Sequence, residues 1–335
     1  MGRYVVGRFL WLILVVFVVS MLTFGFAHAV PGGPFTKEKA LPEVVIKNLE
    51  RKYNLDAPVW RQYVDYMADI IVPRVTQGEL SGALLQNYLI NIPLGEEYTF
   101  RWMDFGPSYT SRSRTVNDIF RENLPISFAL GLYALGVALV VGVPFGILAA
   151  LKQNSFWDYS AMGIAVFGVS MPVIVLGPIL IWLFAVELGW FFPTGWGTWK
   201  HAVLPSIALG LGSSAIIARL TRASLLQVIR EDYIRTARAK GLMERVIIAR
   251  HALRNSLIPV VTVLGPIFAF LVTGSFVTET IFGIPGLGRY FITSITNRDY
   301  PVITGVILLY AIILVLANLF VDITYGWLDP RIRYD

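Results

Sequence analysis

The chain has 335 residues, 56% of them hydrophobic and 15% charged, with a net charge of +6 and a mean hydropathy of +0.63. Soluble domains carry about 45–50% apolar and about 25% charged residues, so the composition argues against a cytosolic enzyme, a disordered chain and a nucleic-acid binder. Cysteine is absent and the only histidines are His28, His201 and His251, which leaves no disulfide framework, no cysteine nucleophile and little for a metal cluster.

A bilayer core needs about 20 mostly apolar helical residues. The first stretch that qualifies runs roughly from Phe9 to Val30. Arg3 and Arg8 precede it and Ala27-His28-Ala29 resembles a small-x-small cleavage site, which is the grammar of a signal peptide. The apolar run is long for that purpose, so an uncleaved anchor is the expectation.

Residues 31–122 form a long polar insert. Pro42 and Glu43 suit a helix start. Val45, Leu49 and Tyr53 then recur at helical spacing, and Val59, Tyr63, Met67 and Ile70 or Ile71 follow Pro58 on one face. Two short amphipathic helices are expected, as a cap bracing the span ends or as a docking surface for an external partner. Trp102, Phe105 and Tyr109 are expected in the aromatic belt of the membrane interface.

Five further stretches qualify as spans: Leu124 to Leu151, Tyr159 to Leu188, Ala202 to Leu220, Leu257 to Val277 and Val302 to Tyr325. Gly142 and Gly146 form a small-xxx-small pair that lets helices approach closely. Pro144, Pro172, Pro178, Pro205 and Pro266 are candidate kinks. His28, Glu187, Glu279 and Asp322 fall near span ends and read as interfacial or capping groups, which weakens a proton-relay reading.

Orientation follows from the loops. Arg219, Arg222, Arg230, Arg235, Arg238, Lys240, Arg245, Arg250 and Arg254 cluster around the fourth loop against Glu231, Asp232 and Glu244. The positive-inside rule puts that loop and both termini in the cytoplasm and the long insert outside. Three regions result: residues 1–30 with the first span, 31–122 as the insert, and 123–335 as a five-span core with a cytoplasmic loop at 223–256.

No Gly-Lys dipeptide occurs, so a P-loop is excluded, and neither a Gly-x-Ser-x-Gly elbow nor a His-Glu-x-x-His helix is present. A catalytic constellation is not found. Active transport that is not ion-driven must take its energy from a partner. In the basic loop, Tyr233 to Lys240 suits a short helix ended by Gly241 in a left-handed cap, and Val246 to Leu253 suits a second. Ala237 and Ala239 keep that surface slim. Charge alone fits a loop lying on anionic headgroups; the small residues, the glycine break and the return helix fit a helix seated in a partner's groove.

Thr236-Ala237-Arg238-Ala239-Lys240-Gly241 resembles the conserved loop of ATP-binding-cassette importer permeases, closest to the B-type permeases of oligopeptide and dipeptide importers. Other stretches agree in order along the chain: Ala29-Val30-Pro31-Gly32-Gly33-Pro34-Phe35, Lys52-Tyr53-Asn54-Leu55-Asp56-Ala57-Pro58, Asp104-Phe105-Gly106-Pro107-Ser108, Glu279 to Gly288, Asn297-Arg298-Asp299-Tyr300 and Asp329 to Tyr334. Pro31 to Thr36 and Ala150 to Asn154 look more like the oligopeptide branch. Two features depart: Arg235-Thr236-Ala237 stands where the general pattern has Glu-Ala-Ala, and Pro259 lies farther from Gly241 than the general spacing. Thr76 to Met103 looks longer than its counterpart.

The resemblance implies an all-α membrane protein with six transmembrane helices, the type I importer permease fold and an extracytoplasmic helical insert. It implies a permease subunit of an ATP-driven oligopeptide importer in the cytoplasmic membrane, without enzyme activity of its own. The implied partners are a homologous C-type permease, two cytoplasmic ATP-binding subunits that use ATP and Mg, and an extracytoplasmic peptide-binding protein; this chain holds no cofactor itself. Arg235, Thr236, Ala237, Arg238, Ala239, Lys240 and Gly241 are the implied coupling residues. Residues contacting peptide are not assigned. Dipeptides, nickel or other small solutes are alternative cargo within the family, and a proton-coupled secondary transporter is the alternative outside it.

Overall fold

The computed structural model describes residues 2–29, 34–35, 42–77, 88–95, 97–111, 113–273 and 275–328. The stretches at 30–33, 36 and 329–334 that contribute to the resemblance lie outside the described residues. Five described helices are long and apolar enough to cross a membrane, and a bent pair supplies a sixth crossing if it counts as one span. The chain divides into two compact units: one over Met1–Arg8, Ser127–Pro285 and Ile313–Asp335, the other over Phe9–Ile126 and Gly286–Ile312.

The unit containing most of the first helix is built on α1 (Gly2–Ala29), whose apolar window is only 11% buried, as expected for a helix wrapped in lipid. The Ala27-His28-Ala29 tripeptide is helical. Helices α2 (Glu43–Lys52) and α3 (Val59–Ile71) form where the apolar periodicity places them, each opened by a proline, Pro42 and Pro58. Ser20 Oγ lies 2.8 Å from Tyr63 Oη, which ties α1 to α3. Beyond α3 the insert departs from the helical expectation. Strands β1 (Arg74–Gln77), β2 (Ile90–Leu94) and β3 (Tyr98–Trp102) pair antiparallel in the order β1-β3-β2, with Val75 and Ile92 both opposite Phe100.

Phe105 and Phe120 meet edge to face at 5.0 Å and are fully buried, so Phe105 is a core residue and not part of an interface belt. Trp102 is partly exposed and donates its indole N–H to Ile71 O, which is a tie within the insert. The loop before α4 (Val116–Leu151) is held by Asp299, whose carboxylate accepts from Ser108 Oγ at 2.5 Å, Tyr109 N at 3.0 Å and Thr110 N at 3.2 Å. Helix α13 (Leu287–Asn297) and the start of α14 (Tyr300–Leu328) complete this unit.

The other unit is organised around α7 (Trp199–Val228), whose apolar window is 61% buried. The expected close approach of α4 is present: a Cβ on Gly142 would stand 2.7 Å from Ser214 O, and one on Gly146 would stand 2.5 Å from Thr221 Cβ. Only glycine permits that spacing. The stretch at 159–188 is not one straight span. Helix α5 (Phe156–Ser170) and α6 (Val173–Leu180), which continues as a π turn (Ile181–Glu187), meet at 104°. Pro172 lacks an N–H and pushes Met171 into extended backbone, which breaks the helix there. Pro144, Pro178, Pro205 and Pro266 stay inside helices. Helix α11 (Ile258–Thr273) precedes the short α12 (Phe276–Ile281). Glu279, expected at an interface or cap, is fully buried and accepts from Ser127 Oγ at 2.7 Å and Ser275 Oγ at 2.6 Å.

Candidate functional site

The basic loop between α7 and α11 folds into a platform. Helix α8 (Asp232–Ala239) begins with an acid in its first turn and ends with Arg238 in its last, matching the helix dipole at both ends. Gly241 adopts φ +76° and closes the helix by donating to Arg238 O at 2.9 Å. Beyond it, α9 (Glu244–Val246) runs through a π turn (Ile247–Ala252) into α10 (Leu253–Ser256). The π turn puts Ile247 and Ala252 on the inner side, both fully buried.

Helix α8 has two faces. Ile234 and Ala237 turn inward and pack with Ala150, Leu225, Ile247 and Ala252 in one apolar cluster. Ala237 is therefore small because its own chain encloses it, which corrects the expectation that it is slim for a partner. Arg235, Thr236, Arg238, Ala239, Lys240 and Gly241 stand on the exposed side. The structure thus brings all seven sequence-selected residues onto one short helix and its cap, and separates Ala237 from the other six.

Three polar ties hold the platform. Arg238 grips Glu244 with two hydrogen bonds, Nη2 to Oε1 at 2.7 Å and Nε to Oε2 at 3.2 Å, bridging the Gly241 turn. The guanidinium holds the Glu244 carboxyl below its ordinary value, and the carboxylate raises that of Arg238. Both side chains are about half exposed, so solvent screening limits the pair to about 1 kcal/mol or less. Asn255 Nδ2 donates to Tyr233 Oη at 2.9 Å, joining α8 to α10. Within α8, Thr236 Oγ1 donates back to Asp232 O.

Below the platform, Arg222 on α7 meets Asp158 at the start of α5. Nε and Nη2 reach the two carboxylate oxygens at 2.7 and 2.6 Å. Asp158 also accepts from Asn154 N at 2.9 Å, and the residue is 2% exposed. A bidentate pair of this kind fixes orientation as well as distance. It locks α5 to the helix that leads into the platform. Sequence reasoning counted Arg222 only as loop charge and did not single out Asp158. The two are 64 residues apart and no spacing rule connects them.

A second feature of this unit lies at the α5–α6 break. A groove of about 770 Å3 runs between Met171-Pro172, the middle of α7 and Pro266 to Phe270 of α11. Its wall is apolar except for Ser213, Thr278 and Arg219. Thr278 Oγ1 is buried there without a hydrogen-bond partner.

These elements define a polytopic helical membrane protein that displays one basic helix on a seat of its own apolar side chains. Comparison with known proteins makes the class specific. Residues 142–334 match the family described as binding-protein-dependent transport system inner membrane component, and residues 1–131 match the N-terminal region of such components. The chain is 45% identical over 333 residues to the dipeptide transport system permease protein DppB of Bacillus subtilis, covering 99% of this chain and 98% of that one. It is 39% identical over 336 residues to the oligopeptide transport system permease protein OppB of Salmonella typhimurium, covering both in full. A chain of the inward-facing MetNI methionine ABC transporter shares the fold, with a TM-score of 0.54 at 21% identity over 63% of this chain and 96% of that one. The chain belongs to the family of binding-protein-dependent transport system inner membrane components, and it has the type I ABC importer permease fold. It is a multi-pass membrane component of a transport system.

Proposed function

We propose that this chain is the B-type permease of an ATP-driven oligopeptide importer. It lines one half of the peptide path, beside a homologous C-type permease. Two cytoplasmic subunits bind ATP and Mg, and an extracytoplasmic binding protein delivers the peptide. The placement of basic residues on the α8 platform and the end of α7 that leads into it, nine Arg or Lys against three acids from Arg219 to Arg254, supports a cytoplasmic position for the platform and both termini.

The observation that carries the reading is α8 itself. Its outer face is exposed and cationic, while its inner face is fixed to α7 through Leu225 and to the return segment through Ile247 and Ala252. A partner that moves the outer face moves α7 as well. The Asp158–Arg222 pair passes that motion to α5, and α5 ends at the bend that borders the apolar groove. Closure of the ATP-binding subunits would swing the packed elements as rigid bodies and open the path to alternate sides. The groove, with few polar groups, suits loose contact with peptides of varied sequence.

Dipeptides as cargo are a second reading, supported by the identity to DppB, which exceeds that to OppB. The proton-coupled alternative is set aside by membership of a binding-protein-dependent family.

The chain has no cysteine, so an introduced thiol is the only one it carries. Lys240→Cys in the assembled transporter is expected to cross-link to an ATP-binding subunit through a short bifunctional reagent. Full uptake with no such adduct would overturn the coupling assignment.

A further inference from the structure

Three stretches that carry the family resemblance, and that the coupling reading leaves without a role, meet at one cavity in the unit containing α2 and α3. Lys52-Tyr53-Asn54 at the end of α2, Phe105-Gly106-Pro107 after β3, and Tyr300 at the start of α14 all border the same space of about 260 Å3. A face of α3 supplies another wall, because Gln62, Asp65, Tyr66 and Asp69 recur at helical spacing. The hydrogen bonds from Ser108, Tyr109 and Thr110 to Asp299 hold the loop side of the cavity in place.

The lining has a consistent chemistry. Aromatic rings form a cage: Tyr53 and Tyr109 have centroids 4.8 Å apart, and Tyr109 and Tyr300 have centroids 6.5 Å apart. Asp65 and Asp69 add carboxylates, of which Asp69 is paired with Arg74. Two hydroxyls, Tyr66 Oη and Thr304 Oγ1, are shielded from solvent and have no hydrogen-bond partner, and Thr304 is 2% exposed. Burial pushes the Tyr66 phenol above its ordinary value, so it enters as a neutral hydroxyl. His28 is already engaged, with Nδ1 2.8 Å from Phe24 O and Nε2 3.2 Å from Gln62 Oε1. Lys52 places its own ammonium 5.4 Å over the Tyr53 ring.

Ring faces and carboxylates both attract a cation, and hydroxyl oxygens accept from N–H groups. An anion would find one ammonium, that of Lys52 over the Tyr53 ring, against two carboxylates and the negative faces of the other rings. An apolar group would leave both buried hydroxyls unpaired, which is costly. The cavity is several times the volume of one water, whose share of the liquid is about 30 Å3.

We propose that this cavity binds an alkylammonium group, supplied by the free amino end of a peptide or by a small primary amine. The peptide source rests on the peptide-importer reading; the amine chemistry does not. The site would give the insert a direct role in holding solute, in addition to bracing the span ends.

The test uses the intact transporter in nanodiscs, with dialanine, N-acetyl-dialanine and n-butylammonium as probes and saturation-transfer NMR as readout. Dialanine or n-butylammonium is expected to bind and N-acetyl-dialanine to bind at least about tenfold more weakly. Binding of n-butylammonium without dialanine would assign the site to small amines; binding of dialanine would assign it to peptide ends. Asp65→Asn and Thr304→Val are each expected to weaken binding about fivefold with an unchanged unfolding midpoint. Equal binding of the acetylated probe, binding unaffected by both substitutions, or water alone in the cavity with no probe bound would overturn the proposal. ATP-driven peptide uptake by the same transporter in sealed proteoliposomes reports the permease reading separately, so the failure of one does not imply failure of the other.

Discussion

Ala237→Leu and Ala239→Leu separate two meanings of a small residue on α8, the proposed coupling helix. Ala237 is 8% exposed and enclosed by Leu225, Ile234, Ile247 and Ala252, so a leucine there forces three more carbons into a filled space. Overpacking of that kind costs about 1–3 kcal/mol. Ala239 is exposed, and a leucine there should change stability by no more than about 0.5 kcal/mol. Thermal unfolding of the purified chain, with peptide uptake and ATPase activity of the assembled transporter, forms the assay. Ala237→Leu is expected to lower the unfolding midpoint and uptake together, because it displaces α8 from its seat. Ala239→Leu is expected to keep the midpoint and, on the proposed coupling role of α8, to lose uptake, because it alters only the exposed face. If Ala237→Leu unfolds and transports like the parent chain, the internal seat of α8 is not what holds the helix, and the reasoning fails.

Three further outcomes follow from the same geometry. Asp158→Asn leaves Arg222 without its carboxylate partner; a buried pair broken on one side costs about 3–5 kcal/mol, and the partly exposed Arg222 brings the expectation to about 2–3 kcal/mol, read in unfolding, with ATPase activity retained and uptake lost. Gly146→Leu pushes a side chain against Thr221 and Ala218 O and is expected to prevent stable insertion, read as loss of the folded chain from detergent extracts. The Glu244 carboxyl is held below its ordinary 4.5 by Arg238, so its stabilising contribution is present above that value and is lost as pH falls through the lowered one. Hydrogen-exchange protection at α8 and the Gly241 turn, taken relative to the intrinsic exchange rate, is expected to fall on acidification below the ordinary 4.5 and to be insensitive to that change in Glu244→Gln.

Much of the fold was legible because membrane spans are written in local composition. The apolar stretches were found, as were α2 and α3, whose prolines and periodicity lie within a few residues of each other. The third stretch is bent and not straight: hydropathy alone does not register the backbone break at Met171-Pro172, whereas Pro172 as a candidate kink marks it. The sheet was missed because β1 is four residues long, β2 contains Pro93, and β3 pairs with β1 across more than 20 residues of chain. The coupling helix was legible through Gly241 and the charge pattern. Its inner face was also readable, since Ile234 and Ala237 stand at i and i+3, but the small residues, taken with the glycine break and the return helix, pointed to a partner's groove. Asp158–Arg222 and Ser108–Asp299 were not readable, being separated by 64 and 191 residues. The Ser108–Asp299 contact gives two of the weak sequence resemblances a shared physical role, since one stretch supplies the carboxylate and the other the loop that it holds.

The most direct test of the central claim is reconstitution with a peptide gradient. Proteoliposomes holding this chain, a C-type permease and two ATP-binding subunits, with the binding protein and labelled peptide on the side it occupies, should accumulate peptide only when ATP and Mg are present on the other. The chain alone should accumulate none. Proton-gradient-driven accumulation by the chain alone would contradict the account.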